Sequence, residues 1–425
     1  MRAAVVTLLL LAWASTPSLG TTVGGRLTSA LYAYEGVDAT AAGQRQVRVH
    51  QAASLTLGQL VRPEVSLHTY LRGTTDLADQ AESDPRLRVY NAYLAWSGPG
   101  LQARLGRQRV LAGVGYGTID GFRADARARG IALTLYAGPL VPAGAAADLG
   151  SWSDGNLWGV RVGTDRLLGT DAALSFASRQ RDPARYAEEG RFTGVRLDPS
   201  AVVQRLVGAD VRRQFTGGHA LYGRVDWDLE SEKLRRAEVS GRCALASRLA
   251  GQLEWFRRAP YVYDNSLFSA FPAQVYQEVG GSLHYSLSPQ VQVSAHFAHL
   301  LYDGDSAQRL GVTAALGPNY SIGYFRTMGY TRASDGVVGS ALYPLHRSLL
   351  LQAELDLTSY ERFLEDAEER DETVTGSAGL RYRPTRNADV DLQVQGLRNP
   401  LFDSDMRLYL RASWRFFHAL GRGER

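Results

Sequence analysis

The sequence predicts an all-β chain whose strands close into a transmembrane antiparallel up-and-down barrel. Three observations carry this expectation. Apolar and polar residues alternate with a period of two along most of the chain, short turns alternate with long loops, and the N-terminus has a secretory pattern with no helical membrane span after it.

The N-terminus comes first. Arg2 precedes an apolar run, residues 3–14, broken only by Thr7, and small residues lead on to Gly20 and Thr21. A basic start, a short apolar core and a small-residue exit make a cleaved signal peptide, assigned here to residues 1–20. The run is shorter than the roughly 20 residues a spanning helix needs. Residues 21–425 are read as one outer-membrane β-barrel domain of an exported, Gram-negative type.

The strands follow. Leu67, Thr69 and Leu71 alternate with Ser66, His68 and Tyr70; Leu221, Val225 and Trp227 alternate with Tyr222, Arg224 and Asp226. Leu408, Leu410 and Trp414 alternate with Tyr409, Arg411 and Arg415 at the other end of the chain. Such alternation puts one set on each face of a strand. A soluble sandwich alternates too, so the connections discriminate. Short turns at 98–99, 216–219, 288–289, 317–318 and 384–387 take turns with loops at 138–155, 180–204, 259–274 and 361–372. Outer-membrane barrels have that asymmetry. Tyr32, Tyr34, Tyr70, Trp255, Tyr360, Tyr382 and Trp414 lie near strand ends and read as an interfacial girdle.

The strand count is about 22, held even because both termini belong on one side. Eighteen and twenty are the alternatives. Evenness requires a strand at 336–343 before a turn at 344–347, and a pair of strands is read around 122–137. The first strand begins near Arg26, which leaves no room for an N-terminal plug domain.

Composition removes several functions. The chain has 425 residues and a net charge of +4, too small on this length to argue for nucleic acid. Its one cysteine, Cys243, excludes a disulfide framework, a Cys₄ zinc site and CxxCH haem attachment. No G-x-S-x-G, HExxH or local nucleophile–base pair occurs, so the chain reads as no enzyme and without a cofactor.

The faces of the strands place charges in the lumen. Arg72, Arg104, Arg123, Arg127, Arg411 and Arg415 read as an inward basic arc. Asp226, Asp228, Glu230, Glu238, Glu254 and Glu278 read as an inward acidic one, with Arg224, Arg242 and Arg258 among them. Facing arcs of opposite sign would set a transverse field that tunes selectivity. The plain alternative is that a lumen face simply has to be polar.

Gly113, Gly115, Gly117 and Asp120 lie in a glycine-rich run with no helix after it, so it reads as a loop and not a phosphate cradle. Folded inward, it would be a constriction. His284, His296 and His299 share one hairpin; with Leu287 opposite Gln290, the first two stand about 10 Å apart, too far for one metal. The loop 361–372 carries seven acids and two arginines and reads as solvated.

Residues 92–139, AYLAWSGPGLQARLGRQRVLAGVGYGTIDGFRADARARGIALTLYAGP, resemble the porin and alginate-export type of outer-membrane barrel. There a Gly-Arg-Gln step leads into a glycine-rich loop and a hairpin with an Asp-Gly start. Residues 406–417 resemble the aromatic-ended last strand of such barrels, although 418–425 extend beyond it. The resemblance implies a passive, substrate-conducting barrel. The expected function is passive diffusion of small hydrophilic solutes through a loop-narrowed, charged lumen, with outer-membrane lipid and lipopolysaccharide around it. The alternatives are the barrel sheath of a porin–cytochrome conduit, filled by a periplasmic multihaem cytochrome, and a channel for an anionic polysaccharide.

Overall fold

The computed structural model describes residues 21–37, 43–78, 86–141, 144, 146–167, 169–181, 202–260, 274–330, 332–361, 370–400 and 402–419. The segment 1–20 and most of the loops expected at 180–204, 259–274 and 361–372 lie outside the described residues.

The first strands are β1 (Thr22–Val37), β2 (Gly43–Gly58), β3 (Val65–Asp76), β4 (Leu87–Gly98), β5 (Leu101–Ala112), β6 (Gly115–Ala128) and β7 (Ile131–Pro139). Then come β8 (Gly155–Leu167), β9 (Thr170–Arg181), β10 (Val202–Gln214), β11 (Ala220–Asp228), β12 (Lys233–Ala246), β13 (Leu249–Arg258), β14 (Tyr276–Ser286) and β15 (Val291–Leu301). The last are β16 (Ser306–Leu316), β17 (Tyr320–Gly329), β18 (Ser334–His346), β19 (Leu349–Glu361), β20 (Arg370–Thr385), β21 (Ala388–Asn399) and β22 (Phe402–Ala419). Each pairs antiparallel with its neighbours in the chain. β1 closes the ring on β22, from Thr22 opposite Ala419 to Ala33 opposite Leu408. The fold is a closed 22-strand antiparallel barrel, and it is all-β.

Period-two alternation explains the two faces. Leu94, Trp96, Trp158, Val162, Val225, Trp227, Leu253, Phe297, Leu408, Leu410 and Trp414 point outward and are exposed. Such a surface suits hydrocarbon, where only a closed sheet leaves no backbone group unpaired. Residues of the other parity face the lumen. The aromatic girdle needs correction on that ground. Trp255, Tyr382 and Trp414 face outward, but Tyr32, Tyr34, Tyr70 and Tyr360 share the parity of the lumen face. Tyr32 stacks on Tyr34 and meets Tyr409 edge-on, and Tyr70 stacks on Tyr90.

Two local expectations shift. β18 runs through Pro344 to His346, and its turn is Arg347-Ser348; the register slips between Pro344 and His346, where proline has no N–H to offer the ladder. In the β14–β15 turn, Ser288 and Val291 close on each other across Pro289 at the second turn position. The register is therefore one residue off the expected one, with His284 opposite Ser294 and His296 opposite Ser282. Both imidazoles face the lumen two positions apart, and His299 faces outward. Among the described residues, no three His, Cys, Asp or Glu side chains gather as a metal site.

The β5–β6 hairpin leaves the wall. β4 pairs with β5 only from Gly98–Leu101 to Ala92–Arg107, and β7 pairs with β6 only from Ala128–Ile131 to Phe122–Ala137. Beyond those points β5 and β6 leave the ladders of β4 and β7 and continue as a ladder with each other, up to Ala112 opposite Gly115. The β7–β8 connection moves in behind them: Ala146 bridges to Arg88 and Leu140 to Ile119. The expected glycine loop is thus a two-residue turn, Gly113-Val114, at the tip of an inward hairpin.

Glycines sit at the bend. Gly106, with φ of 122°, faces Gly121, and a Cβ on Gly106 would stand 2.4 Å from the Ala92 carbonyl oxygen. A Cβ on Gly121 would stand 2.2 Å from the Ala137 carbonyl oxygen and 2.6 Å from the Gly138 Cα. Gly121→Val should therefore force β6 and β7 apart and cost about 1–3 kcal/mol. A lower temperature for loss of the compact band in unheated-versus-heated gel electrophoresis would register it; an unchanged transition would show that the bend tolerates a side chain.

Candidate functional site: an inward hairpin in a charged lumen

The hairpin is held at its base, along its length and at its tip. At the base, Arg107 Nε and Nη2 donate to Asp120 Oδ1 and Oδ2 at 2.7 and 2.8 Å. The same guanidinium donates to the carbonyls of Val89 (3.2 Å), Asp148 (2.6 Å) and Ala146 (2.5 Å), and Asp120 accepts from the Gly150 N–H at 2.8 Å. Arg107 is 3% exposed, so this pair is screened from water and clamps hairpin, loop and β4 together.

Along its length, one hairpin face packs on the barrel wall. Val110, Ala112 and Ile119 form an apolar cluster with Tyr136 and Leu157, with Leu140 against it. Gly115 and Gly117 on that face make room for the wall: a Cβ on Gly115 would overlap the Tyr136 hydroxyl. At the tip, Val114 packs with Ala177 and Leu206, and its N–H donates to Ser175 Oγ at 3.1 Å. Arg224 Nη2 donates to the Gly113 carbonyl at 3.0 Å. Burying side chains such as Val110, Val114 and Ile119 contributes on the order of 1.5–3 kcal/mol each, which offsets part of the cost of ordering the hairpin.

The other hairpin face looks into the lumen. Arg109, Leu111 and Tyr116 are exposed there, and the Arg179 guanidinium lies 5.3 Å from the Tyr116 ring centroid. Of the residues singled out in the sequence, Gly113, Gly115 and Gly117 let the hairpin dock, and Asp120 anchors it. Arg109, Leu111, Tyr116 and Arg179 form the surface that looks into the lumen, and the sequence reading missed them. The signal was present: β5 carries apolar residues on both parities (Val110, Leu111, Ala112), which breaks the alternation that the wall strands keep.

The wall charges are more mixed than two opposed arcs. Arg72, Arg104, Arg123, Arg127, Arg411 and Arg415 are all on the lumen face. Carboxylates accompany several of them. Asp125 pairs with Arg123 at 2.8 Å, Asp391 with Arg411 and Arg381, and Asp389 lies 3.6 Å from Arg415 and 3.9 Å from Arg26. Arg104 instead lies over the Tyr93 ring, and Arg72 over Tyr90.

Asp226, Glu238, Glu254 and Glu278 are also on the lumen face, each beside a donor. Asp226 pairs with Arg224 at 2.9 Å, Glu238 with Arg236, Glu278 with Arg309 at 4.0 Å, and Glu254 accepts from Gln252 at 3.3 Å. Two expected acids do other work. Asp228 is fully buried against Arg235 (2.7 Å) and caps the β11–β12 turn through the N–H of Glu230. Glu230 lies in that turn and pairs with Arg205 at 2.9 Å, on the outward parity of β10. Arg161 and Asp210 form a two-pronged pair at 2.6 and 2.8 Å across β9, above small residues.

No family model matches the chain, and no curated protein matches it. Solved structures do. A ferric enterobactin receptor (PfeA) mutant from Pseudomonas aeruginosa superposes with a TM-score of 0.60 at 11% identity, over 95% of this chain and 81% of that one. The siderophore receptor PirA from the same organism gives 0.57, also at 11% identity and with the same coverage. OccAB3 from Acinetobacter baumannii is covered to 99%, and this chain to 93%, at 10% identity; its TM-score of 0.43 carries no argument. The chain has the fold of an outer-membrane barrel. At these identities the comparison speaks of fold alone.

Arg107→Met would leave the Asp120 carboxylate buried without its cation, a loss of about 3–5 kcal/mol, and the further change Asp120→Asn should restore part of it. Proteolysis of the detergent-solubilised protein near residues 113–117 should speed up in the single variant and slow again in the double. Equal rates in all three would mean that the pair does not hold the hairpin.

Proposed function

We propose that this protein is an outer-membrane porin for passive diffusion of small hydrophilic solutes, exported by a cleaved signal peptide and set in outer-membrane lipid and lipopolysaccharide. The observation that supports the reading most is the inward β5–β6 hairpin. It lies along the lumen wall of β7–β11 with Arg109, Leu111 and Tyr116 on its exposed face, and so narrows the opening without needing a second domain. Barrels of this strand number in energised transporters carry a plug. In the porin reading, the hairpin takes the place of that plug as the element that sets the cutoff, and the arginines of β3, β5 and β6 set the sign of selectivity. The reading assigns no catalysis and no resident cofactor.

The test is to purify the protein undenatured, record its visible absorbance and insert it into a planar bilayer. Stable conductance steps without haem absorbance are expected. A co-purifying Soret band with no conductance would overturn the porin reading in favour of a sheath around a multihaem cytochrome.

Two variants sharpen it. Shortening the hairpin by removing residues 109–118 should enlarge the conductance step several-fold, whereas an unchanged step would place the constriction elsewhere. Replacing Arg104, Arg123 and Arg127 by Ala should shift the reversal potential in a salt gradient towards cation selectivity. At about 0.1 M salt the screening length is roughly 10 Å, so the shift should shrink as salt rises. An unmoved reversal potential at low salt would remove these arginines from the selectivity argument.

A further inference from the structure

A cavity of about 600 Å³ lies on the lumen face where β22, β1, β2, β3 and β4 meet, away from the hairpin. Its floor lies on β1 and β2, where the small side chains Thr28, Ala30, Ala52 and Ser54 stand between Arg26 at one end and His50 at the other. Larger groups rise on either side: Tyr70 and Arg72 from β3, Tyr409 and Arg411 from β22. Three strand spacings separate β3 from β22, about 14 Å at roughly 4.8 Å each. That gap, flanked by two long guanidinium side chains, has the width of a ring-sized solute.

The electrostatics have one sign. Among the described residues, Arg26, Arg381, Arg411 and Arg415 share only Asp389 and Asp391. Arg72 adds a further cation: no carboxylate lies within ion-pair distance of it among the described residues, and its Nε is buried with no hydrogen-bond partner. It is held from below instead, 5.4 Å from the Tyr90 ring centroid, and Tyr90 stacks on Tyr70 at 5.0 Å. Arg411 is equally well set, its fork engaged by Asp391. Two oriented guanidinium groups, a net positive field and tyrosine faces beside the small residues Ala52 and Ser54 describe a receptor for an anion joined to a flat ring.

We propose that this cavity is a binding station for small aromatic monocarboxylates, with the carboxylate between Arg72 and Arg411 and the ring over Ala52 and Ser54 against Tyr70. The proposal names a solute class for the porin reading and rests on that reading for its role in passage, but the binding itself is separable from it.

Benzoate is the probe, with acetate as the carboxylate lacking a ring and benzyl alcohol as the ring lacking a charge. Calorimetric titration into the detergent-solubilised protein should give saturable benzoate binding at least about tenfold tighter than either control. Arg72→Gln should weaken it by about tenfold or more. Ala52→Phe, which fills the floor and leaves every charge in place, should do the same. Benzoate binding no tighter than acetate or benzyl alcohol would overturn the proposal, as would parental affinity in either variant. Bilayer recordings separate the two ideas. Binding without conductance keeps the station and sinks the porin, and conductance without binding does the reverse.

Discussion

Everything in this barrel depends on the closure of one hydrogen-bonded ring. In hydrocarbon an unpaired N–H or C=O has no water to turn to, so each strand needs a partner on both sides over its membrane-crossing length. The seam between β1 and β22 meets that demand at the chain ends. The demand also explains the least regular part of the wall. When β5 and β6 turn inward beyond Arg107 and Asp120, they withdraw pairing from β4 and β7. The β7–β8 connection moves into the vacated place, with Ala146 against Arg88, and Arg107 collects the carbonyls of Val89, Ala146 and Asp148. The inward hairpin and the ordered loop behind it are one device.

The lumen charges follow a local rule. Arg123 and Asp125, Arg224 and Asp226, Arg236 and Glu238, and Asp405 and Arg407 are each two residues apart on one strand. With period-two side chains, that spacing puts the members of a pair on the same face. Each pair neutralises itself close to where it arises. The field in the lumen is therefore left to the guanidinium groups that stand on tyrosine rings, such as Arg72 and Arg104, and to clusters where arginines outnumber acids, as around Asp389.

The strands were legible because the two faces of each meet different solvents, and alternation is what that difference looks like in sequence. Features set by packing between distant strands were not. Residue type suggested that Tyr32, Tyr34 and Tyr70 belong to an outer girdle, yet Tyr70 shares the parity of Arg72, and parity decides the face. The register of β14–β15 depended on where Pro289 falls in its turn, which composition does not reveal. The glycine run was recognisable as something irregular. That it docks on Ser175, Ala177 and Leu206 depends on strands more than 50 residues away, brought beside it only by the curvature of the wall. Asp389 and Asp391 escaped notice for the same reason, since their tie to Arg411 needs the β21–β22 register.

The anchorage of the hairpin has a consequence for assembly. Its described partners, from Val89 on β4 to Arg224 on β11, lie within the first eleven of the 22 strands and their connections. A sheet that holds β4 to β11 already contains every described group the hairpin docks on, whether or not β22 has met β1. The narrowing element can therefore be seated while the ring is still open and its inner side still accessible. Closing the seam then encloses a finished interior, and no segment has to thread a completed barrel.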